Sequence, residues 1–214
     1  MTKLHKKILS IDEVFVPEKY LNLFEKISLD VQREKAKQHN LSEEFFEEHI
    51  KQLQKRPFYL TTIAEKFDAK NILEVGTAQG LQFFSFAEHV KNKQGHVWSC
   101  DIVDVRNKEC SLEYAKQTTF CLGDSKKLSN VVDKEIDLFY IDGAHDYGSV
   151  IKDVLSLRHL QSKQPIWIFD DYDERFGCFE DIKRLCEKYE SLKYYVGKTM
   201  SGQPNHQAII FGRI

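Results

Sequence analysis

No stretch of this chain approaches the roughly 18 consecutive apolar residues of a membrane span. The basic start from Met1 to Lys7 runs into no long apolar core, so no secretory leader is expected. Lysine and arginine number 31 against 33 acidic residues, a formal net charge of −2. That balance lacks the basic field by which proteins gather nucleic acid. Cysteines are few and odd in number (Cys100, Cys110, Cys121, Cys178, Cys186), with no C-x-x-C pair. Cys100 and Cys121 lie in apolar runs as buried thiols, which fits a reducing, cytoplasmic setting. Internal repeats, low-complexity tracts and flexible linkers are also missing, so 214 residues read as one soluble unit with ample length for a core.

From Asn71 onward, strand-like and helix-like segments alternate. Strands are expected near 71–75, 96–101, 117–121, 136–141 and 165–170, with helices near 79–91, 109–116, 125–131, 147–159 and 174–188. Ile136-Asp-Leu-Phe-Tyr-Ile141 and Ile166-Trp-Ile-Phe169 are almost continuously apolar, as parallel strands covered on both faces should be. The alternation predicts a doubly wound, Rossmann-like α/β sheet. Two further strands are expected near 192–197 and 206–211, separated by the turn Ser201-Gly-Gln-Pro204-Asn205. Residues 1–57 read as an N-terminal helical extension to a domain at 58–214. Leu21, Leu23, Phe24, Ile27, Leu41, Phe45, Phe46, Ile50 and Leu53 supply its apolar faces, and Ser42-Glu-Glu-Phe45 offers a helix N-cap. The extension should pack over the cleft or against a second copy of the chain. The pairs Phe45-Phe46 and Phe83-Phe84 read as core.

The most informative stretch is Asn71-Ile-Leu-Glu-Val-Gly-Thr-Ala-Gln-Gly80. A buried strand ends in an acid, and a G-x-x-x-G turn opens into a helix. Such a turn exposes backbone N–H groups at the positive end of a helix dipole and admits close approach of a ligand. Its spacing is neither the G-x-G-x-x-G of dinucleotide binders nor a P-loop. An acid beside the first glycine disfavours a pyrophosphate and favours a cationic amine. The bland reading is a turn whose glycines only permit close packing. Asp101 ends the second strand, 21 residues after Gly80, where a carboxylate can accept from vicinal ribose hydroxyls. Asp124 ends the third and either meets an adenine amino group or caps the helix that follows.

Glu74-Val-Gly76-Thr-Ala-Gln-Gly80, followed by Asp101 and Asp124, resembles the cofactor half of class I S-adenosylmethionine-dependent methyltransferases over roughly residues 60–125. The resemblance implies Glu74, Gly76, Thr77, Ala78, Gly80, Asp101, Ile102, Asp124 and Ser125 as cofactor contacts. It also implies a seven-stranded sheet, mostly parallel, closed by an antiparallel C-terminal hairpin.

The chemistry is expected at the ends of the fourth and fifth strands, in Tyr140-Ile-Asp142-Gly-Ala-His145-Asp146-Tyr147 and Ile168-Phe-Asp170-Asp171-Tyr172. In an open α/β sheet these ends line the ligand crevice. Three carboxylates converging there would repel unless a cation neutralised them, and hard oxygen ligands suit Mg²⁺ or a similar divalent cation. The alternative is that Asp142 and Asp171 cap helices and Asp170 faces solvent.

This half resembles metal-dependent O-methyltransferases of the catechol type and of the macrocin, sugar-modifying type, over roughly residues 58–175. The resemblance implies Asp142, Asp170 and Asp171 as metal ligands. Two departures stand out: His145 occupies the place of a lysine in the catechol type, and Ala144 that of a second acid in the sugar type. An imidazole titrates near neutrality, so His145, or Asp142 itself, is expected to take the hydroxyl proton; the other reading of His145 is a cap or cofactor contact. The reaction implied is methyl transfer to a small-molecule hydroxyl on a sugar or other vicinal diol. Competing readings are a metal-independent methyltransferase on another acceptor, against which the missing Asn/Asp-Pro-Pro-Tyr-like motif argues for nucleobase amines, and a non-catalytic cofactor-binding protein that pairs through its first 55 residues.

Overall fold

Apolar runs bounded by acids and glycines become the strands of one sheet. A computed structural model describes residues 18–27, 33–34, 37–38, 40–198 and 202–214. The basic stretch at 1–7 and Ser201 of the expected turn lie outside these residues. The strands are β1 (Asn71–Val75), β2 (His96–Asp101), β3 (Thr118–Leu122), β4 (Ile136–Ile141), β5 (Gln161–Phe169), β6 (Ser191–Lys198) and β7 (Pro204–Phe211). Their order across the sheet is β3-β2-β1-β4-β5-β7-β6. Strands β1 to β5 pair in parallel, and β7 runs antiparallel to both β5 and β6. The expected sheet and its closing hairpin are both present.

The helices are α1 (Glu18–Lys26), α2 (Glu43–Lys66), α3 (Leu81–Val90), α4 (Lys108–Glu113), α5 (Ser125–Ser129), α6 (Ser149–Leu157) and α7 (Phe179–Lys188). Side chains along a strand alternate between faces, and the core divides accordingly. Ile72, Leu138, Tyr140, Ile166 and Ile168 pack with α1, α2 and α3 on one face. Leu73, Val75, Phe139, Ile141, Trp167 and Phe169 pack with α5, α6 and α7 on the other. The expected apolar pairs follow suit: Phe46, Phe83 and Phe84 are fully buried, whereas Phe45 is only half-buried.

Helix α2 starts where Ser42 Oγ accepts from Phe45 N at 3.1 Å, the expected cap, with Glu43 and Glu44 favouring the positive helix end. It continues through Pro57 and buries Leu60, Ile63 and Ala64 completely. Asp124 likewise caps α5, accepting from Lys127 N at 2.9 Å. Helices α3 to α7 are each shorter than their patterns, α7 the most. Residues 174–178 were expected to begin the last helix, but α7 starts at Phe179. Asp173 Oδ1 accepts from Arg175 N at 3.0 Å, a local turn that competes with helical pairing. No described helix is long and apolar enough to cross a membrane.

Candidate active site

Gly76 follows β1 with φ +91°, and a Cβ there would lie 1.9 Å from the Asp142 carbonyl oxygen. The loop after β1 therefore packs directly on the end of β4, which only glycine permits. Asp142 N donates to Val75 O at 2.8 Å, and Gly76 N to Cys100 O at 2.9 Å, joining three strand ends. Gly80, also left-handed, provides the N-cap of α3 without a side-chain bond.

Asp101 stands at the end of β2, half-exposed. Its Oδ2 accepts from Thr77 N at 3.0 Å and Ala78 N at 2.9 Å, and its Oδ1 from Val103 N at 3.2 Å. The carboxylate thus fixes the glycine-rich loop, and two loop donors expected to face a ligand face Asp101 instead.

Glu74 lies beneath the loop, fully buried. Ser99 Oγ donates to its Oε2 at 2.6 Å and sits 2.6 Å from Thr77 Oγ1. Its Oε1 has no partner among the described residues. Burial, only partly offset by Ser99 and reinforced by Asp142 and Asp101, pushes the Glu74 carboxyl up to about 8.

Above this loop opens a cavity of about 740 Å³, lined by Gly76, Asp101, Ile102, Asp124, Ser125 and Asp142. Of the expected cofactor contacts, Glu74, Thr77, Ala78 and Gly80 do not line it; they build and anchor its floor. The pattern of the sequence passed over the α6 wall, where Lys152, Asp153 and Ser156 also line the cavity. Asp153 is raised by burial.

At the ends of β4 and β5, Asp142, His145 and Asp171 each bring one ligand atom within 4.8 Å of the others. His145 Nε2 lies 2.8 Å from Asp171 Oδ2 and 3.9 Å from Asp142 Oδ1. Asp142 and Asp171 together push the imidazole up to about 10. Tyr140 Oη donates to Asp142 Oδ2 at 3.0 Å and holds that carboxylate in place. Asp171 sits in the left-handed region at φ 52°, tolerated by aspartate. Cys178 N donates to the His145 carbonyl at 2.9 Å and ties the loop after β5 to that after β4.

Asp170 is placed apart from this trio. Arg56 of α2 donates to its Oδ2 at 2.8 Å and Gln207 of β7 to its Oδ1 at 2.9 Å. The strand ends at Phe169 and the chain turns at left-handed Asp171, so the two neighbouring carboxylates find different partners. Burial, with Asp142 and Asp171 adding to it, raises the Asp170 carboxyl; Arg56 and Gln207 oppose the rise. The repulsion expected between strand-end acids is relieved by Arg56 and His145. Arg56 sits among many charged residues of α2, so no local pattern marks it.

Two carboxylates and an imidazole are a donor set that fits a divalent cation, with the nitrogen widening the choice beyond Mg²⁺ to softer ions. The cavity, with a carboxylate at a strand end and a tight glycine turn, fits a nucleoside-bearing cofactor.

Comparison with known proteins agrees with this geometry. Residues 73–172, just under half the chain, match the family model of a methyltransferase domain. No curated protein matches the chain. Among solved structures, it is similar to the O-methyltransferase TomG from Streptomyces achromogenes, involved in tomaymycin synthesis and solved with S-adenosylmethionine, at 11% identity and TM-score 0.65 over 99% of this chain and 100% of that one. An O-methyltransferase from Bacillus cereus, in complex with S-adenosylhomocysteine, aligns at 14% identity and TM-score 0.60, covering 97% and 99%. The N-methyltransferase NodS from Bradyrhizobium japonicum aligns at 13% identity and TM-score 0.57, covering 81% and 99%. These likenesses show a shared fold, that of methyltransferases, and residues 73–172 match the methyltransferase domain model.

Proposed function

We propose that the chain is an S-adenosylmethionine-dependent, divalent-metal-assisted O-methyltransferase acting on a hydroxyl of a small molecule, a sugar or another vicinal diol. The observation that carries this reading is the Asp142–His145–Asp171 constellation, three potential ligand atoms within 4.8 Å at strand ends beside the large cavity. Two of the similar structures are O-methyltransferases by name, which supports the choice of oxygen. Nucleic acid and membranes are not partners in this reading, and the setting is cytoplasmic.

The cofactor supplies a methyl group on a sulfonium that already carries its leaving group. Asp101, aimed by Thr77 N and Ala78 N, would receive the ribose hydroxyls, and Gly76 keeps the loop low enough for close approach. Ile102, Asp124 and Ser125, which line the cavity, would receive the adenine. Asp142 and Asp171 would hold the cation, which would lower the pKa of the acceptor hydroxyl there. His145, whose Nε2 lies 2.8 Å from Asp171, stands beside them, and its neutral form would accept the hydroxyl proton. Tyr140 holds the Asp142 carboxylate, and Asp170 keeps Arg56 beside these groups.

The test is titration of S-adenosylhomocysteine into the protein, followed by methyl-transfer assays on a diol panel with Mg²⁺ or Mn²⁺ and after chelation. Saturable cofactor binding and transfer that stops on chelation are expected. Transfer only to amines or thiols would reject the oxygen assignment, and full transfer after chelation would reject the cation.

A further inference from the structure

The loop that leaves β4 carries His145 and runs into α6 at Gly148, and much of its support comes from another helix. Gly148 stands left-handed at φ +82° as the N-cap of α6, with no side chain to form a capping bond. In a capping box, a side chain three residues into the helix accepts from the N–H of the cap. That position in α6 is Ile151, which carries no acceptor. Asp181 of α7 takes its place from 33 residues away, accepting from Gly148 N at 2.7 Å.

Asp181 is 1% exposed and has no part in the mechanism above. A buried carboxylate is costly unless it is paired, and this one lies in the first turn of α7 and at the cap of α6. The positive ends of two helices therefore meet on it.

Two further contacts, each about one turn away along α7, join the same loop. Cys178 N donates to the His145 carbonyl at 2.9 Å, and Arg184 Nη1 donates to Tyr147 Oη at 3.0 Å. Residues 178, 181 and 184 fall three apart and so lie along one side of the helix. Gly177 lets that side come close, since a Cβ there would stand 2.9 Å from the His145 carbonyl oxygen and 3.0 Å from Tyr147 N. Phe176 meets the imidazole edge-on, with ring centroids 5.1 Å apart. The loop has a glycine at each end, Gly143 and Gly148, and bends readily unless it is held. Its bonds to α7 therefore bear on where the His145 ring sits relative to Asp171, now 2.8 Å from Nε2.

We propose that Asp181 is a positioning residue for methyl transfer: by holding Gly148 N it keeps the 143–148 loop, and with it the His145 imidazole, against Asp171. The proposal rests on the reading in which His145 accepts the hydroxyl proton, and it adds a residue outside the cavity lining.

The experiment follows the His145 ring in protein carrying ¹³C-histidine, its signal assigned by its loss in His145→Gln. Displacement from Phe176 and Asp171 shifts the ring C–H resonances. They are expected to move in Asp181→Ala and to stay in place in Asp181→Asn, which keeps an oxygen for Gly148 N. On a diol that the native protein methylates, Asp181→Ala should lower kcat at least tenfold and leave the KM for S-adenosylmethionine within twofold. Asp181→Asn should restore most of that loss. Signals that stay in place in Asp181→Ala, signals that move equally in both variants, or an unchanged kcat would each overturn the proposal and leave Asp181 as a clamp between helices. Should Asp181→Ala fold poorly, the native protein gives a second readout. Its Gly148 amide should exchange at least a hundredfold slower than an open amide, and free exchange there would also overturn the proposal. The spectra need no acceptor, so native protein that binds no S-adenosylhomocysteine or methylates no diol would instead strike the underlying methyltransferase reading.

Discussion

Arg56 reaches from the middle of α2 to Asp170 at the end of β5, its Nη1 2.8 Å from Oδ2 across 114 residues of chain. The Asp170 side chain is 1% exposed and that of Arg56 is 23% exposed, so the pair is sheltered on one side only. It fastens α2 to the carboxyl end of β5, beside the Asp142–His145–Asp171 cluster.

Removing one partner of a buried ion pair leaves a charge without compensation, which typically costs about 3–5 kcal/mol. Arg56→Met should therefore destabilise the fold by about that much, and adding Asp170→Asn should recover part of the loss. Urea unfolding of the three proteins measures this. An unchanged midpoint in Arg56→Met would show that the pair contributes nothing.

Glu74 makes stability depend on pH. Its carboxyl rises from an ordinary 4.5 to about 8 on folding, so between those values the folded chain holds a proton that the unfolded chain releases. Stability from this group is complete below about 4.5, declines as pH rises, and is lost once pH passes about 8. Glu74→Gln keeps an acceptor for Ser99 and cannot ionise, so its advantage over the native protein should grow between pH 5.5 and 8.5. Chemical denaturation at several pH values checks this, and parallel curves would refute it.

Asp101 has two duties, and its substitution should reveal both. Asp101→Asn keeps one carbonyl acceptor but loses the charge, and charge-assisted hydrogen bonds are worth about 1.5–3 kcal/mol. Calorimetry should show S-adenosylhomocysteine binding weakened by about tenfold or more. The amides of Thr77 and Ala78, which now donate to Asp101, should exchange faster with solvent. Native affinity in the variant would remove Asp101 from the cofactor site.

The neighbours Asp170 and Asp171 should respond differently to the same change. Asp171→Asn takes a ligand from the trio and should lower turnover by orders of magnitude while S-adenosylhomocysteine affinity holds. Asp170→Asn breaks the Arg56 pair and should lower the unfolding midpoint first. Kinetics and melting of the two variants in parallel separate these outcomes, and equal stability losses would contradict the distinction.

The sheet was legible because its strands are nearly unbroken apolar runs, and Ile136–Ile141 and Ile166–Phe169 could hardly lie anywhere but in a two-sided core. The caps at Ser42 and Asp124 were legible because capping is local. Asp142 and Asp171 were legible as strand-end acids. The Arg56–Asp170 bond was not, because a long-range ion pair leaves no local pattern and Arg56 lies in a helix crowded with charge. The left-handed turn at Asp171, just past the end of β5, likewise has no local signature that would separate the two aspartates. Asn205 read as part of a turn and instead lies in β7, because the strand already begins at Pro204.

Helix α2 passes without a break from His49 and Arg56, beside the β6–β7 hairpin, to the fully buried Leu60, Ile63 and Ala64. Its surface and the core are thus one rigid piece, and the surface cannot be exchanged as a cassette. A chimera cut beside Pro57 would join two helices of unmatched rotation and swing His49 away from β7. The workable splice lies past Lys66, in the turn where Ala69 N donates to Ala64 O at 2.8 Å, so that a foreign helix arrives whole with its own core contacts. In a fold like this one, the surface of α2 can be exchanged only together with the inside of the protein.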